Sequence, residues 1–317
     1  MNAGRKRASS LHARGLALSV AFAVALSVPF AVAASESSVG ANARLRAARS
    51  GVPRFKTRRA IRHVRRLSHH IGVRVRATGK ERRAARHVAR TMRRYGYNVR
   101  IARFGVDGGT SRNVVARWPG SRRRAIVIGA HMDTVAGSPG ANDNASGVAV
   151  MLELARLFAG RAEARRIRFI AFGSEEYGLN GRHHVGSRVY VRRIGWRGRR
   201  RIAGMVSVDM VADGRPLIVG TAGMASPVVA RTMLWRLRRA RVDVTYRITC
   251  DCSDNGPFER AGIPAAFVWS GDEPNYHSPS DTLANLSRRD LRRTGRALRA
   301  FVNHVGRRML RRFFARR

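Results

Sequence analysis

Cysteine and long apolar runs are scarce in this chain, and each scarcity excludes a class of protein. There are 2 cysteines among 317 residues, too few for a metal site built from four thiolates. No Gly-x-Ser-x-Gly turn and no glycine-rich phosphate-binding loop occurs, so neither a nucleophilic serine of that type nor P-loop chemistry is indicated. After residue 28, no segment approaches the length of a membrane span.

The first 33 residues have the three parts of a secretory signal peptide. A basic start is followed by an apolar run over residues 16–28, and Ala31-Val32-Ala33 gives a small-x-small cleavage site. The apolar run is short for a membrane span of about 20 residues. We therefore expect a secreted or extracytoplasmic protein, with an uncleaved signal anchor as the alternative. Residues 34–56, rich in Ser, Ala, Gly and Arg, predict a linker, and residues 57–317 predict one large domain.

The charge of the chain is strongly positive. Lys and Arg number 63 against 19 Asp and Glu, for a net charge of +44 at pH 7. A field of this size attracts polyanions. The basic residues are nevertheless spread along the whole chain, and no zinc finger, recognition helix or aromatic stacking motif accompanies them. We expect no specific nucleic-acid partner; for an exported protein, an anionic cell-wall polymer or a membrane surface is the expected polyanion for its Arg-rich faces.

Apolar periodicity predicts an alternation of strands and helices. Predicted strands cover residues 97–106, 112–120, 125–130, 166–173, 203–211, 242–248 and 264–271. Predicted helices cover residues 58–71, 79–96, 145–160, 178–191, 226–240 and 286–310. Apolar strands separated by helices indicate an α/β fold, with a largely parallel sheet covered by helices on both faces.

Metal-binding side chains follow several of these strands. The candidate ligands are His131, Asp143, Glu176, Asp209 and His277. Imidazole and carboxylate donors without thiolate suit a water-activating divalent ion. Two histidines and three carboxylates are too many for one catalytic zinc, but they fit two ions that share a bridging carboxylate. Glu175, next to Glu176, is then free to act as a base, so the pattern predicts a two-metal hydrolase.

Structural explanations of the same residues are weaker. Asp143 could cap the helix that follows, but Asn142 and Asn144 would serve equally well. Asp209 lies in an apolar run and would be costly if buried without a partner. The remaining histidines have no matching ligands, and we expect ordinary surface positions for His69, His70, His183, His184 and His304.

Five segments, in order, resemble the secreted zinc aminopeptidases of metallopeptidase family 28, typified by bacterial leucyl aminopeptidases. These segments are GAHMDTVAGSPGANDNASGVAVMLELAR, FIAFGSEEYGLNGRHHV, SVDMVADG, SDNGPFERAGIPAAFV and HSPSDT. The similarity runs from about residue 60 to the end. It implies a three-layer α/β/α fold with a mixed, mostly parallel sheet of eight strands, and makes residues 57–317 a zinc-peptidase catalytic domain.

The resemblance also implies a role for each candidate residue. His131 and Asp209 would hold one zinc ion, Glu176 and His277 the other, and Asp143 would bridge them, giving two zinc ions per chain. Asp133 would accept the second N–H of the His131 imidazole. Glu175 would take a proton from the attacking water and pass it to the leaving amine. The expected substrate is a peptide cut at its N-terminal residue, and the Asp143–Asn144 peptide bond is expected to be cis.

Other activities on the same scaffold remain open. They are glutaminyl cyclisation, a carboxypeptidase-type reaction, and a catalytically silent binding role, although none of the ligands is lost here. The loop Ser253-Asp254-Asn255 departs from the family's Ser-Asp-His. The family's oxyanion-stabilising tyrosine is left unassigned between Tyr246 and Tyr276. For Cys250 and Cys252 we expect a disulfide, with free thiols or a metal site as the alternatives.

Overall fold

The computed structural model describes residues 52–317 except 122, 123, 179 and 272. The predicted signal peptide and most of the predicted linker lie outside these residues. At the end of the predicted linker, Phe55 is buried in the main hydrophobic core, and the backbone N–H of Lys56 donates to Glu153 Oε1 at 3.1 Å. In the part of the chain that the structure describes, no helix combines the length and apolarity needed to cross a membrane.

The described strands form one eight-stranded sheet in the order β1-β2-β4-β3-β5-β8-β6-β7. Their bounds are β1 Asn98–Val106, β2 Gly109–Arg117, β3 Ala125–His131, β4 Ile167–Phe172, β5 Ile202–Val208, β6 Leu217–Thr221, β7 Val244–Ile248 and β8 Ala265–Trp269. The pairs β3–β4, β3–β5, β5–β8 and β6–β7 are parallel, and the other three are antiparallel. The predicted mixed, mostly parallel sheet is confirmed.

The described helices cover both faces of the sheet. Their bounds are α1 Thr57–Val64, α2 Gly79–Arg94, α3 Gly147–Phe158, α4 Val185–Arg193, α5 Gly195–Arg199, α6 Val228–Arg239, α7 Asn255–Arg260, α8 Arg288–Val302 and α9 Arg307–Ala315. A π-helical segment extends α1 to Ile71. A kinked turn over Ala141–Ser146, in which Asp143 and Asn144 have non-helical φ and ψ, precedes α3. The single helix predicted over residues 286–310 is wrong, because the chain turns after α8 and is extended at Gly306 before α9 begins.

Alternating side chains of the central strands build two separate cores. Ile126 and Ile128 of β3 belong to one hydrophobic cluster together with Leu154 of α3. Val127, between them, belongs to a second cluster with Phe258 of α7. A strand buried on both faces reads as a continuous apolar run, which explains the sequence AIVIGA. The molecule is therefore a three-layer α/β/α fold.

Candidate metal centre

The candidate ligands reach one edge of the sheet because of the order of its central strands. His131 ends β3 and Asp209 directly follows β5, while Glu176 lies four residues beyond the end of β4. Since β4, β3 and β5 are adjacent and parallel, their carboxyl ends open at the same edge, where α/β sheets form their sites. Asp143 comes from the turn before α3, and His277 from the segment after β8.

The five side chains form two groups that share Asp143. His131 Nε2 lies 3.0 Å from Asp143 Oδ1 and 3.1 Å from Asp209 Oδ1. His277 Nε2 lies 3.2 Å from Asp143 Oδ2 and 3.1 Å from Glu176 Oε2. Each histidine therefore has one carboxylate of its own and one oxygen of Asp143. The other four side chains are buried, and His277 is partly exposed.

Glu175 lies beside this cluster. Its Oε1 is 2.9 Å from His184 Nε2, and its Oε2 is 3.9 Å from His131 Nε2. Ligand atoms of His131, Glu175 and Asp209 all lie within 4.8 Å of one another, as do those of His131, Asp143 and Glu176. The geometry thus allows Glu175 either to accept a proton or to bind an ion.

Burial and the neighbouring charges shift the pKa values of Glu175, Glu176 and His277. Burial raises the pKa of Glu175 well above its usual value; Glu176 and Asp209 act in the same direction, and His131 opposes them. Burial, reinforced by Asp143, raises the pKa of Glu176 to about 7. For His277, burial lowers the pKa, but contacts with Asp143 and Glu176 outweigh it and raise the value to about 10. Carboxylates this close stabilise any cation placed among them.

Three polar side chains hold the ligand-bearing turns. Asp133 accepts the backbone N–H groups of Glu175 and Glu176, each at 3.1 Å. Its carboxylate lies 3.7 Å from His131 Nδ1, whereas its own carbonyl oxygen is closer, at 3.3 Å. The Asp281 carboxylate accepts the N–H groups of Asn142 and Asp143, at 2.7 and 3.0 Å. Ser253 Oγ donates to Asp209 Oδ2 at 2.8 Å. The roles of Asp281 and Ser253 were not predicted, although both lie in the quoted motifs.

A fully buried guanidinium fastens two of the turns. Arg74 donates to the carbonyl oxygens of Met132, Pro139 and Gly140, at 2.9, 2.6 and 2.9 Å. It also donates to those of Leu67 and Gly72. Gly140 has φ +63°, and a Cβ there would collide with the carbonyl oxygen of Asp143. In the sequence, Arg74 looks like any other arginine of a basic chain, so this role was missed.

Left-handed backbone conformations are concentrated at the centre. Seven described residues other than glycine have a positive φ. Four of them adjoin or belong to the centre, and these are Ser174, His184, Met210 and His277. Such conformations are rare outside glycine and accumulate at functional sites. The expected cis peptide bond between Asp143 and Asn144 is present.

The structure changes the expectation for one histidine. His184 is 2% exposed, so its predicted surface position is wrong. Its Nε2 contacts Glu175, and its Nδ1 lies 3.7 Å from Asp251 Oδ1. Asp251 stands between Cys250 and Cys252, which are joined in a disulfide. His184 therefore connects the proposed base to the disulfide loop.

Asn255, in the loop that differs from the family pattern, and the two candidate tyrosines have distinct surroundings. Asn255, where the family often has histidine, donates to Glu259 Oε1 at 2.9 Å. Tyr276 stacks on His277, with ring centroids 3.7 Å apart, whereas Tyr246 lies within β7. Of the two tyrosines, Tyr276 is thus the one beside a candidate ligand.

Comparison with known proteins identifies the family. A family model described as Peptidase family M28 matches residues 113–302, which is more than half of the chain. The chain belongs to peptidase family M28. An aminopeptidase of Bacillus subtilis strain 168, YwaD, is 36% identical over 188 residues, which cover 56% of this M28 chain and 40% of the relative. The M28 chain thus spans less than half the length of that relative.

Solved structures show that the M28 fold extends over most of the chain. A zinc aminopeptidase from Bacillus subtilis superposes with a TM-score of 0.73 at 22% identity, covering 79% of this chain and 95% of that one. A glutaminyl cyclase from Bacteroides thetaiotaomicron, bound to N-acetylhistamine, superposes with a TM-score of 0.70 at 20% identity, covering 81% of this chain and 100% of that one. The family and fold predicted from the sequence are confirmed. Because the two neighbours carry different names on one fold, the fold alone does not select the reaction.

Proposed function

We propose that this M28 chain is an exported aminopeptidase that binds two zinc ions and removes N-terminal residues from peptides. One observation carries the proposal: the two oxygens of Asp143 lie toward different histidines, at 3.0 and 3.2 Å. A shared carboxylate between two sets of nitrogen and oxygen donors is the arrangement expected of a two-ion site.

The donor atoms fit divalent ions better than they fit one another. His277 Nε2 is buried and close to two carboxylate oxygens, but forms an aligned hydrogen bond with neither. Glu176 Oε1 is also buried without a hydrogen-bond partner. Nitrogen and carboxylate donors without thiolate are those of catalytic zinc sites. We assign His131 and Asp209 to one ion, Glu176 and His277 to the other, and Asp143 to both.

Glu175 is the proposed general base. Bound zinc supplies a Lewis acid and lowers the pKa of water. His184 occupies Oε1 of Glu175 and leaves Oε2 facing the cluster. From there Glu175 takes the proton of the attacking water and passes it to the leaving amine. Asp133 keeps the base in place by binding the backbone of Glu175 and Glu176.

The N-terminal specificity follows from the donors that a peptide offers. A free α-amine places a neutral nitrogen ligand beside the first carbonyl group, so a two-ion site favours cleavage after the first residue. Acetylation removes the lone pair of this amine and adds bulk where the chain should end. The name of the relative, an aminopeptidase, agrees with this preference.

The experiment uses three peptides, each with and without a chelator: one with an apolar first residue, its N-acetylated twin, and one that begins with Gln. Mass spectrometry should show loss of the first residue from the free peptide only, and only without chelator. Equal cleavage of the acetylated twin would indicate an endopeptidase or amidohydrolase. Loss of ammonia from the Gln peptide, without shortening, would indicate a glutaminyl cyclase instead.

A further inference from the structure

A groove of about 610 Å³ lies away from the metal centre, along α8. Its walls are α8, the turn after α6 and Arg215. Of the eleven residues that line it, seven are arginines, and Asp243 is the one acid among them. None of the candidate ligands contributes to it. This surface, the arginine groove, is therefore a separate feature of the molecule.

One face of α8 supplies most of the positive charge. Arg289, Arg292, Arg293 and Arg296 all line the groove, at spacings of three, four and seven residues that place them on one side of the helix. Like charges at these spacings destabilise a helix. The arrangement is thus unfavourable for the isolated helix and becomes favourable when an anion lies in the groove.

The guanidinium groups of the groove outnumber the acidic partners found for them among the described residues. Arg215 and Arg293 share Asp290, at 3.5 and 3.4 Å. Within the described residues, no hydrogen-bonding or ionic side-chain partner is found for three exposed members of the groove. These three are Arg289, Arg292 and Arg296. Burial lowers the pKa of Arg293; Asp290 and Asp243 oppose this shift, and Arg215 and Arg289 reinforce it. The groove therefore holds an excess of positive charge.

We propose that the arginine groove binds a ligand that carries two or more phosphate groups. A guanidinium group binds phosphate oxygens in pairs, and this planar fork is why arginine predominates in phosphate recognition. One phosphate has enough oxygens to engage more than one guanidinium, whereas a carboxylate offers only two. The volume lies within the range of small-ligand sites. The proposal does not depend on the peptidase activity.

The test must separate the groove from the general field of a chain with a net charge of +44. The groove variant is Arg292→Gln/Arg296→Gln. Its matched control is Arg86→Gln/Arg90→Gln on α2, which has the same spacing, exposure and loss of charge but does not line the groove. Fructose 1,6-bisphosphate is the probe, because it carries two phosphate groups; any binding of it at the metal centre is the same in both variants, since neither alters that centre.

Isothermal titration calorimetry at fixed ionic strength should show saturable binding of the probe to the unmodified protein. The groove variant should raise the Kd tenfold or more, and the control should change it less than twofold. Equal weakening in both variants, or no saturable binding to the unmodified protein, would overturn the proposal. If thermal unfolding shows that the groove variant does not fold, the single variants Arg289→Gln and Arg292→Gln replace it. The product of their two fold-increases in Kd should then be tenfold or more.

A second arm distinguishes a soluble phosphate from a lipid headgroup. Vesicles that contain cardiolipin, whose headgroup carries two phosphate groups, are compared with vesicles of phosphatidylcholine alone for binding of the groove and control variants. Selective loss of cardiolipin binding in the groove variant, with competition by the bisphosphate, supports the groove and identifies lipid as a source. If vesicle binding is equal in both variants while the groove variant alone loses bisphosphate binding, the proposed site is supported and its ligand is a soluble phosphate.

Discussion

Replacing Glu175 with glutamine separates the proposed base from the proposed ligands. The two side chains have nearly the same size, and the amide oxygen can keep the 2.9 Å contact that His184 makes with Oε1. The amide nitrogen then replaces Oε2, the atom that faces the cluster, and it cannot accept a proton. The substitution therefore removes proton transfer while it preserves packing.

The expected loss follows from the position of Glu175. A positioned general base contributes about 10²–10⁴ in rate, which corresponds to about 3–5 kcal/mol of activation free energy. Glu175 Oε2 lies 3.9 Å from His131 Nε2, whereas Glu176 Oε2 lies 3.1 Å from His277 Nε2. We therefore expect Glu175→Gln to lower kcat by about 10² or more and to retain the bound metal.

Two measurements on each variant decide the assignment: turnover of an aminoacyl reporter and metal content by mass spectrometry. Glu176→Gln is the matched comparison, because it makes the same chemical change one residue away and should lower metal occupancy. Near-normal turnover of Glu175→Gln would place proton transfer elsewhere. A loss of metal from Glu175→Gln equal to that from Glu176→Gln would make Glu175 a ligand, as its grouping with His131 and Asp209 allows.

Three further substitutions test the surroundings of the centre. Ser253→Ala removes the donor to Asp209 and should weaken metal binding about 10- to 100-fold in a chelator competition; unchanged affinity would show that this contact has no positioning role. Gly140→Ala should lower the free energy of unfolding by at least about 1–3 kcal/mol in urea titrations, because the left-handed backbone is strained and the new Cβ would collide with the carbonyl oxygen of Asp143; full stability would contradict the described geometry. Burial raises the pKa of Glu81 from 4.5 to about 7, so the native state holds a proton that the unfolded chain releases at lower pH, and the free energy of unfolding should fall as pH rises between these values. In chelator-treated protein, Glu81→Gln should reduce this dependence of the free energy of unfolding on pH. An unaltered pH dependence would show that Glu81 does not cause it.

The sequence indicated the candidate ligands, which the fold brings together, better than the residues that support them, for a physical reason. His131 ends a buried strand, and Asp209 directly follows one. A charged residue at such a position is costly unless a partner or an ion compensates it, so the apolar residues around each one already indicate a special role. Ser253 and Arg74 carry no such local mark. Arg74 becomes a support only through carbonyl groups as far as 66 residues along the chain, and the fold alone brings these together.

Short and interrupted elements were predicted least well. β6, with the sequence LIVGT, was missed because five residues give little periodicity, and its pairing with β7 and β8 is set by distant parts of the chain. The break between α8 and α9 was missed because Val302, Val305 and Met309 keep a helical spacing across it. His184 was misplaced because neighbouring histidines in a polar segment suggest exposure, whereas its burial depends on contact with Glu175.

The carbonyl groups bound by Arg74 help to determine the shape that the candidate centre keeps when no metal ion is bound. This guanidinium connects the turn after His131 to the turn before Asp143 through Met132 and Gly140, and it remains charged, with a pKa that burial lowers only to about 10. The turns that carry His131 and Asp143 are thus held together by a permanent cation of the chain itself. The apoprotein should retain an empty, correctly shaped receptor. If the centre binds divalent ions as proposed, one ion should therefore replace another without rearrangement of these two turns.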